Sequence, residues 1–158
     1  MTALSGRLNY VAGIGLIVCL NAISHARAQS PGGIRLNENA LAFASQLIRQ
    51  GHLIADGKGG WHEHKPSTAV ENDFIRAHGF AEYANWHLAV DKRYAVNTKH
   101  RYKFPYGDFT NVHRCGLLAA KARAAEYQYP DIEDAAAQLI RMTLREREAK
   151  GTTVPRPP

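Results

Sequence analysis

The sequence predicts an α+β domain, mainly α: a small bundle of about four helices with a short extended or hairpin element. Three observations carry that expectation. Four stretches place apolar residues at three- and four-residue spacings, and most are opened by a capping residue. One stretch, Trp86, Leu88 and Val90 with His87 and Ala89 between them, alternates with the period of a strand. Glycine- and proline-rich pieces punctuate the chain between these segments.

The first helix is expected from Asn37, as cap, to Gln50. Ala40, Leu41, Ala44, Leu47 and Ile48 form one apolar face, and Gly51 sits where a left-handed stop belongs. His52 to Trp61 (HLIADGKGGW) reads as a tight hairpin or an irregular loop. The second helix follows Pro66 and Ser67, with Thr68 and Glu71 spaced as a capping box and Gly79 as its stop. Val70, Phe74, Ile75 and His78 mark its inner face, and Phe80–Ala84 could prolong it. Asp91 to Asp108 lacks a helical period and contains Pro105 and Gly107, so an ordered loop or extended segment is expected there. Asp108 reads as the cap of the longest helix, Phe109 to about Tyr127, with Val112, Cys115, Ala119 and Ala122 as its inner stripe. Pro130 and Asp131 open the last helix, whose inner residues are Ile132, Ala135, Ala136, Leu139 and Met142.

Residues 1–28 have the three-part grammar of a signal peptide: Arg7 with no acid, the apolar run Val11–Leu20, and Ala26 and Ala28 at the −3 and −1 positions. That run is shorter than the roughly 20 residues a membrane span takes, so no membrane span remains after leader removal. Residues 29–36 then form a linker, 37–150 a single helical domain, and 151–158 (GTTVPRPP) a disordered tail. On this reading the protein is periplasmic or secreted. It is cytoplasmic if the product begins near Asn37. Composition sets further bounds. The 158 residues carry 20 Lys+Arg against 14 Asp+Glu. Without Arg7 and Arg27 of the leader the excess falls to +4, too modest to indicate nucleic acid by itself. Cys19 would leave with the leader, and Cys115 alone cannot make an internal disulfide.

NENALAFASQLI at Asn37–Ile48, HGFAEYANWHL at His78–Leu88, TKHRYKFPYGDFTNVHRCGLLAA at Thr98–Ala120 and DIEDAAAQL at Asp131–Leu139 carry a resemblance. Through these pieces the domain resembles a family of small bacterial proteins of unknown function. The likeness covers nearly the whole domain, and the third piece is the most specific. It implies no activity, substrate or cofactor.

Three constellations could carry chemistry. His62 and His64 would share one side of an extended WHEH piece, and His113, Cys115 and His52 could add donors to a metal. No recognised zinc spacing joins them, and on a helix His113 and Cys115 would point to different faces. Cys115 could be a nucleophile oriented by Asp108, but a thiol in the middle of an apolar helical stripe is normally inert. The segment Lys92–Arg114 interleaves cations with aromatics, and Arg101, Tyr102, Lys103, Tyr106 and Arg114 could hold phosphates and stack on bases. An exported protein would seldom meet a nucleic acid. Self-association is a further possibility through the alanine-rich last two helices, with Lys121, Arg123, Arg141, Arg145 and Arg147 on the outer face. The expected role is non-enzymatic, structural or binding, with no catalytic residue, no cofactor and an unknown partner. The alternatives are a nucleic-acid or anion-binding module through residues 92–114, or a metal-binding protein using His62 and His64.

Overall fold

Asn37 shows how local chemistry sets the architecture. Its side-chain oxygen accepts from the Ala40 N–H and caps the first helix, while its amide donates to Ala84 O and His87 O at 2.9 and 3.2 Å. One side chain thus starts a helix and ties it to a strand 50 residues away. The computed structural model describes residues 33–151, with side chains through residue 149. The expected leader, most of the linker and the tail beyond Gly151 lie outside these residues.

The described chain is α+β. Helices α1 (Glu38–Arg49), α2 (Trp61–His64), α3 (Thr68–Ala84), α4 (Arg114–Glu126) and α5 (Pro130–Gly151) surround five short strands. These are β1 (Ile34–Leu36), β2 (Leu53–Ile54), β3 (His87–Asp91), β4 (Tyr102–Pro105) and β5 (Val112–His113). Strands β1, β3 and β4 make an antiparallel sheet with β3 in the middle, and β2 pairs with β5 in parallel. Helix α5 packs on α4, on α1 and on strands β1 and β3. Ile48, Leu88, Leu117, Ile132 and Leu139 are fully buried where these elements meet. Each such side chain stabilises the fold by about 1.5–3 kcal/mol. Ala40, Ala44, Ala120, Ala124 and Ala136 fill the same core and let the helix backbones approach closely.

Several expectations need correction. Residues 34–36 of the expected linker form the edge strand β1. Among the described residues there are five helices where about four were expected, because WHEH winds into the single turn α2 instead of extending. Helix α3 is capped by Ser67, whose hydroxyl accepts from the Val70 N–H, and Val70 is 48% exposed rather than inward. Gly79 (φ 78, ψ 173) does interrupt α3 as expected, and helix resumes through Ala84, the prolongation the sequence left open. Of the two readings open for residues 91–108, an ordered loop or an extended segment, the extended one holds for Tyr102–Pro105, which forms β4.

The largest difference concerns Asp108. Its carboxylate accepts from the Thr110 and Asn111 N–H groups at 2.9 and 2.6 Å, which closes a turn rather than starting a helix. The chain turns back so that Val112 bridges Gly107. Helix α4 therefore begins only at Arg114, and its buried positions are Cys115, Gly116, Leu117, Ala120 and Ala124; Ala122 is exposed. Helix α5 matches its expected inner face, with Ile132, Ala135, Ala136 and Leu139 buried.

Candidate metal centre

The late start of α4 decides the chemistry of this region. His113 keeps an extended backbone (φ −98, ψ 123) as the last residue of β5, and Cys115 lies in the first turn of α4. The angular separation that a continuous helix would impose is gone, and both side chains reach the same point. Parallel pairing of Ile54 with His113 runs β2 beside β5, which delivers Asp56 to that point two residues later. The glycine-rich turn 57–60 then returns the chain into α2, whose last residue is His64.

Trp61, at the start of α2, fixes this approach. Its ring lies 6.2 Å from that of His113, and a Cβ on Gly116 would meet it at 2.9 Å. Gly116 is therefore required for space: only a bare Cα lets α2 sit this close to α4.

One ligand atom from each of Asp56, His64, His113 and Cys115 lies within 4.8 Å of the others. Asp56 Oδ2 is 2.7 Å from both His64 Nδ1 and His113 Nδ1 and accepts from Cys115 Sγ at 3.1 Å. Asp56 Oδ1 accepts the Cys115 backbone N–H at 2.6 Å, so the carboxylate also caps the open end of α4. Cys115 Sγ and His64 Nδ1 are 3.5 Å apart. The Nε2 of His113 faces Asp108 Oδ2 at 3.1 Å, so both ring nitrogens meet carboxylate oxygens. Arg114 donates to Asp56 O at 3.3 Å, and its Nε is buried without a hydrogen-bond partner among the described residues.

The site is walled on most sides. Cys115 is 1% exposed, and the side chains of His113 and Asp56 are 7% and 10% exposed, whereas His64, at 37%, forms the outer edge. Burial works to raise the Asp56 pKa, but the Cys115 N–H, His113, the Cys115 thiol and His64 outweigh it and hold the carboxyl at about 2. Burial, with the adjacent Asp56 carboxylate, pushes the Cys115 thiol up to about 12. Burial opposes ionisation of Asp108 as well, yet the turn N–H groups and His113 keep its carboxyl below the usual range. A thiol held protonated and shut away from solvent is a poor nucleophile.

Of the two histidines expected to bind metal, only His64 is here. His62 is exposed and is not among the four clustered residues. Asp56 escaped sequence reading altogether; the Asp-Gly turn before WHEH was the one local hint. The basic-aromatic segment, by contrast, is dispersed. Tyr106 is fully buried with its hydroxyl donating to Ala40 O and Asn85 O, and Tyr102 is buried with its hydroxyl donating to Val96 O. Neither can stack on a base. Arg101 donates to Tyr94 O at 2.7 Å, Lys103 lies 5.5 Å from the centre of the Tyr94 ring, and Arg114 belongs to the Asp56 cluster. No described helix is long and apolar enough to cross a membrane. Comparison of the chain with protein-family models, with characterised proteins and with solved structures gives no match.

Proposed function

We propose that this domain binds one divalent transition-metal ion of the zinc class through Asp56, His64, His113 and Cys115. The observation that carries the reading is the convergence of four ligand atoms of three chemical kinds within 4.8 Å. A thiolate, two imidazoles and a carboxylate are a donor set suited to zinc. Tetrahedral zinc, with bonds of ~2.3 Å to sulfur and ~2.0 Å to nitrogen, separates those donors by about 3.5 Å, which is the spacing of Cys115 Sγ and His64 Nδ1. The Asp56 contacts are of hydrogen-bond length, so the carboxylate withdraws by about half an ångström when an ion enters.

Charge supports the reading too. A divalent ion is balanced by the Asp56 carboxylate and the Cys115 thiolate. With Nδ1 of His113 on the ion, Nε2–H donates to Asp108, the outer-shell pairing that fixes a ligating imidazole. Four protein donors complete a tetrahedron and leave no open position, which describes a structural site rather than a catalytic one. The ion then clamps the 55–60 turn, α2 and the β5–α4 junction.

Metal analysis of the purified protein, followed by cobalt substitution, tests the proposal. One ion per chain and a thiolate-to-cobalt charge-transfer band that is lost in Cys115→Ser are expected. A folded apoprotein that takes up neither zinc nor cobalt at stoichiometric concentration overturns it.

A further inference from the structure

Trp61 also lines a groove of about 780 Å³, in the size range of small-molecule sites. Trp61, Phe104 and Tyr129 contribute aromatic surface to its lining, and Ile34 and Ala120 add aliphatic surface. Three cations from three different elements complete it: Lys65 at the end of α2, Lys103 on β4 and Arg123 on α4. Among the described residues, no acidic one lines it. Arg123 is shared with Glu126 in an exposed pair, and Lys103 lies over the Tyr94 ring, a contact that leaves its ammonium protons available.

The backbone around the groove is held in unusual conformations. Phe104 lies at φ 59 inside β4, and Gln128, between the lining residues Tyr127 and Tyr129, lies at φ 58. Non-glycine residues enter this region at a cost, and such strain gathers at ligand clamps. Phe104 and Tyr129 meet edge-on, with ring centres 6.0 Å apart.

We infer that this groove binds a small amphipathic anion, its apolar body between Trp61, Phe104 and Tyr129 and its acidic head on Lys65 and Lys103. The inference rests on charge complementarity with an apolar lining and does not depend on the metal reading. Lys103, expected from the sequence to bind anions, thus faces an apolar cleft rather than an open nucleic-acid surface.

Calorimetry on the full chain with dodecanoate, dodecanol and dodecyltrimethylammonium as probes tests the inference. One dodecanoate per chain is expected, with dodecanol about tenfold weaker, because the charged head loses its hydrogen bonds to the cations. The cationic amphiphile should be weaker still. The double variant Lys65→Gln/Lys103→Gln should lose about tenfold for dodecanoate and little for dodecanol. Ala119→Phe, which fills the groove from α4, should abolish binding of both, with the melting curve confirming that each variant folds. Equal affinity for acid and alcohol, unchanged binding in the double variant, or no dodecanoate binding overturns the inference. So does binding to phosphatidylglycerol vesicles without binding of the monomeric acid, which would make the surface a membrane contact.

Discussion

His87 and His113 are both buried, at 3% and 6% exposure, yet their surroundings assign them opposite chemistry. His87 sits on the central strand among the rings of Tyr83 and Tyr102, and its Nδ1–H donates to Tyr83 O at 2.9 Å. Burial there drives its pKa down to about 4, so the ring is a neutral part of the core. His113 is set between two carboxylates, with a second imidazole 5.0 Å away and a thiol in the same cluster. Burial alone does not make a histidine functional. What matters is whether the groups around it satisfy the ring or gather other donors toward it.

The comparison breaks most sharply at the metal. His113→Ala should reduce bound zinc from one ion per chain to none at stoichiometric metal, whereas His87→Gln and His62→Ala should each retain one, as read by metal analysis of the desalted proteins. Retention of a full equivalent by His113→Ala would make the two histidines alike.

A smaller effect separates them by pH. The folded pKa of His87, about 4, lies below the unfolded value near 6.5, so the unfolded chain takes up the proton first as pH falls. His87 therefore withdraws stability progressively between pH 6.5 and 4, by about 3 kcal/mol in all. Denaturant unfolding of the wild type and His87→Gln across that window should show a flatter pH profile in the variant. An equal slope in both would remove His87 as the cause.

The smallest effect is the most specific. Asp108→Asn keeps the turn's size but weakens the acceptor that holds His113 Nε2, and should reduce zinc affinity by 10- to 100-fold. Competition with a chromophoric chelator measures it. Unchanged affinity would leave Asp108 with the turn alone.

These histidines also show what the sequence can and cannot disclose. Helix α1 was legible because every cue to it is local: Asn37 as cap, apolar residues at helical spacing, Gly51 at the end. Strand β3 was legible for the same reason. The start of α4 was not, because an aspartate side chain accepting nearby N–H groups serves a turn as well as it serves a helix cap. A helix that includes Phe109–Val112 places His113 and Cys115 on different faces. Asp56 was out of reach on other grounds. Its partners lie 8, 57 and 59 residues away, and only the β2–β5 pairing brings them together. In the basic-aromatic segment, composition could not separate Lys103, which lines a groove, from Tyr106, whose hydroxyl is used up by backbone carbonyls.

The break in α3 has a consequence of another kind. A Cβ on Gly79 would meet no atom within 4 Å, so it is not room that requires glycine here. At φ 78 and ψ 173 the backbone occupies the mirror image of ordinary extended chain, which is essentially closed to L-residues. The fold thus turns on handedness at this position. One achiral residue lets the first part of α3 reach Lys99 through Glu71, while the second part carries Asn85 to the Tyr106 hydroxyl. Any chiral L-residue at 79 would have to give up one of those two directions.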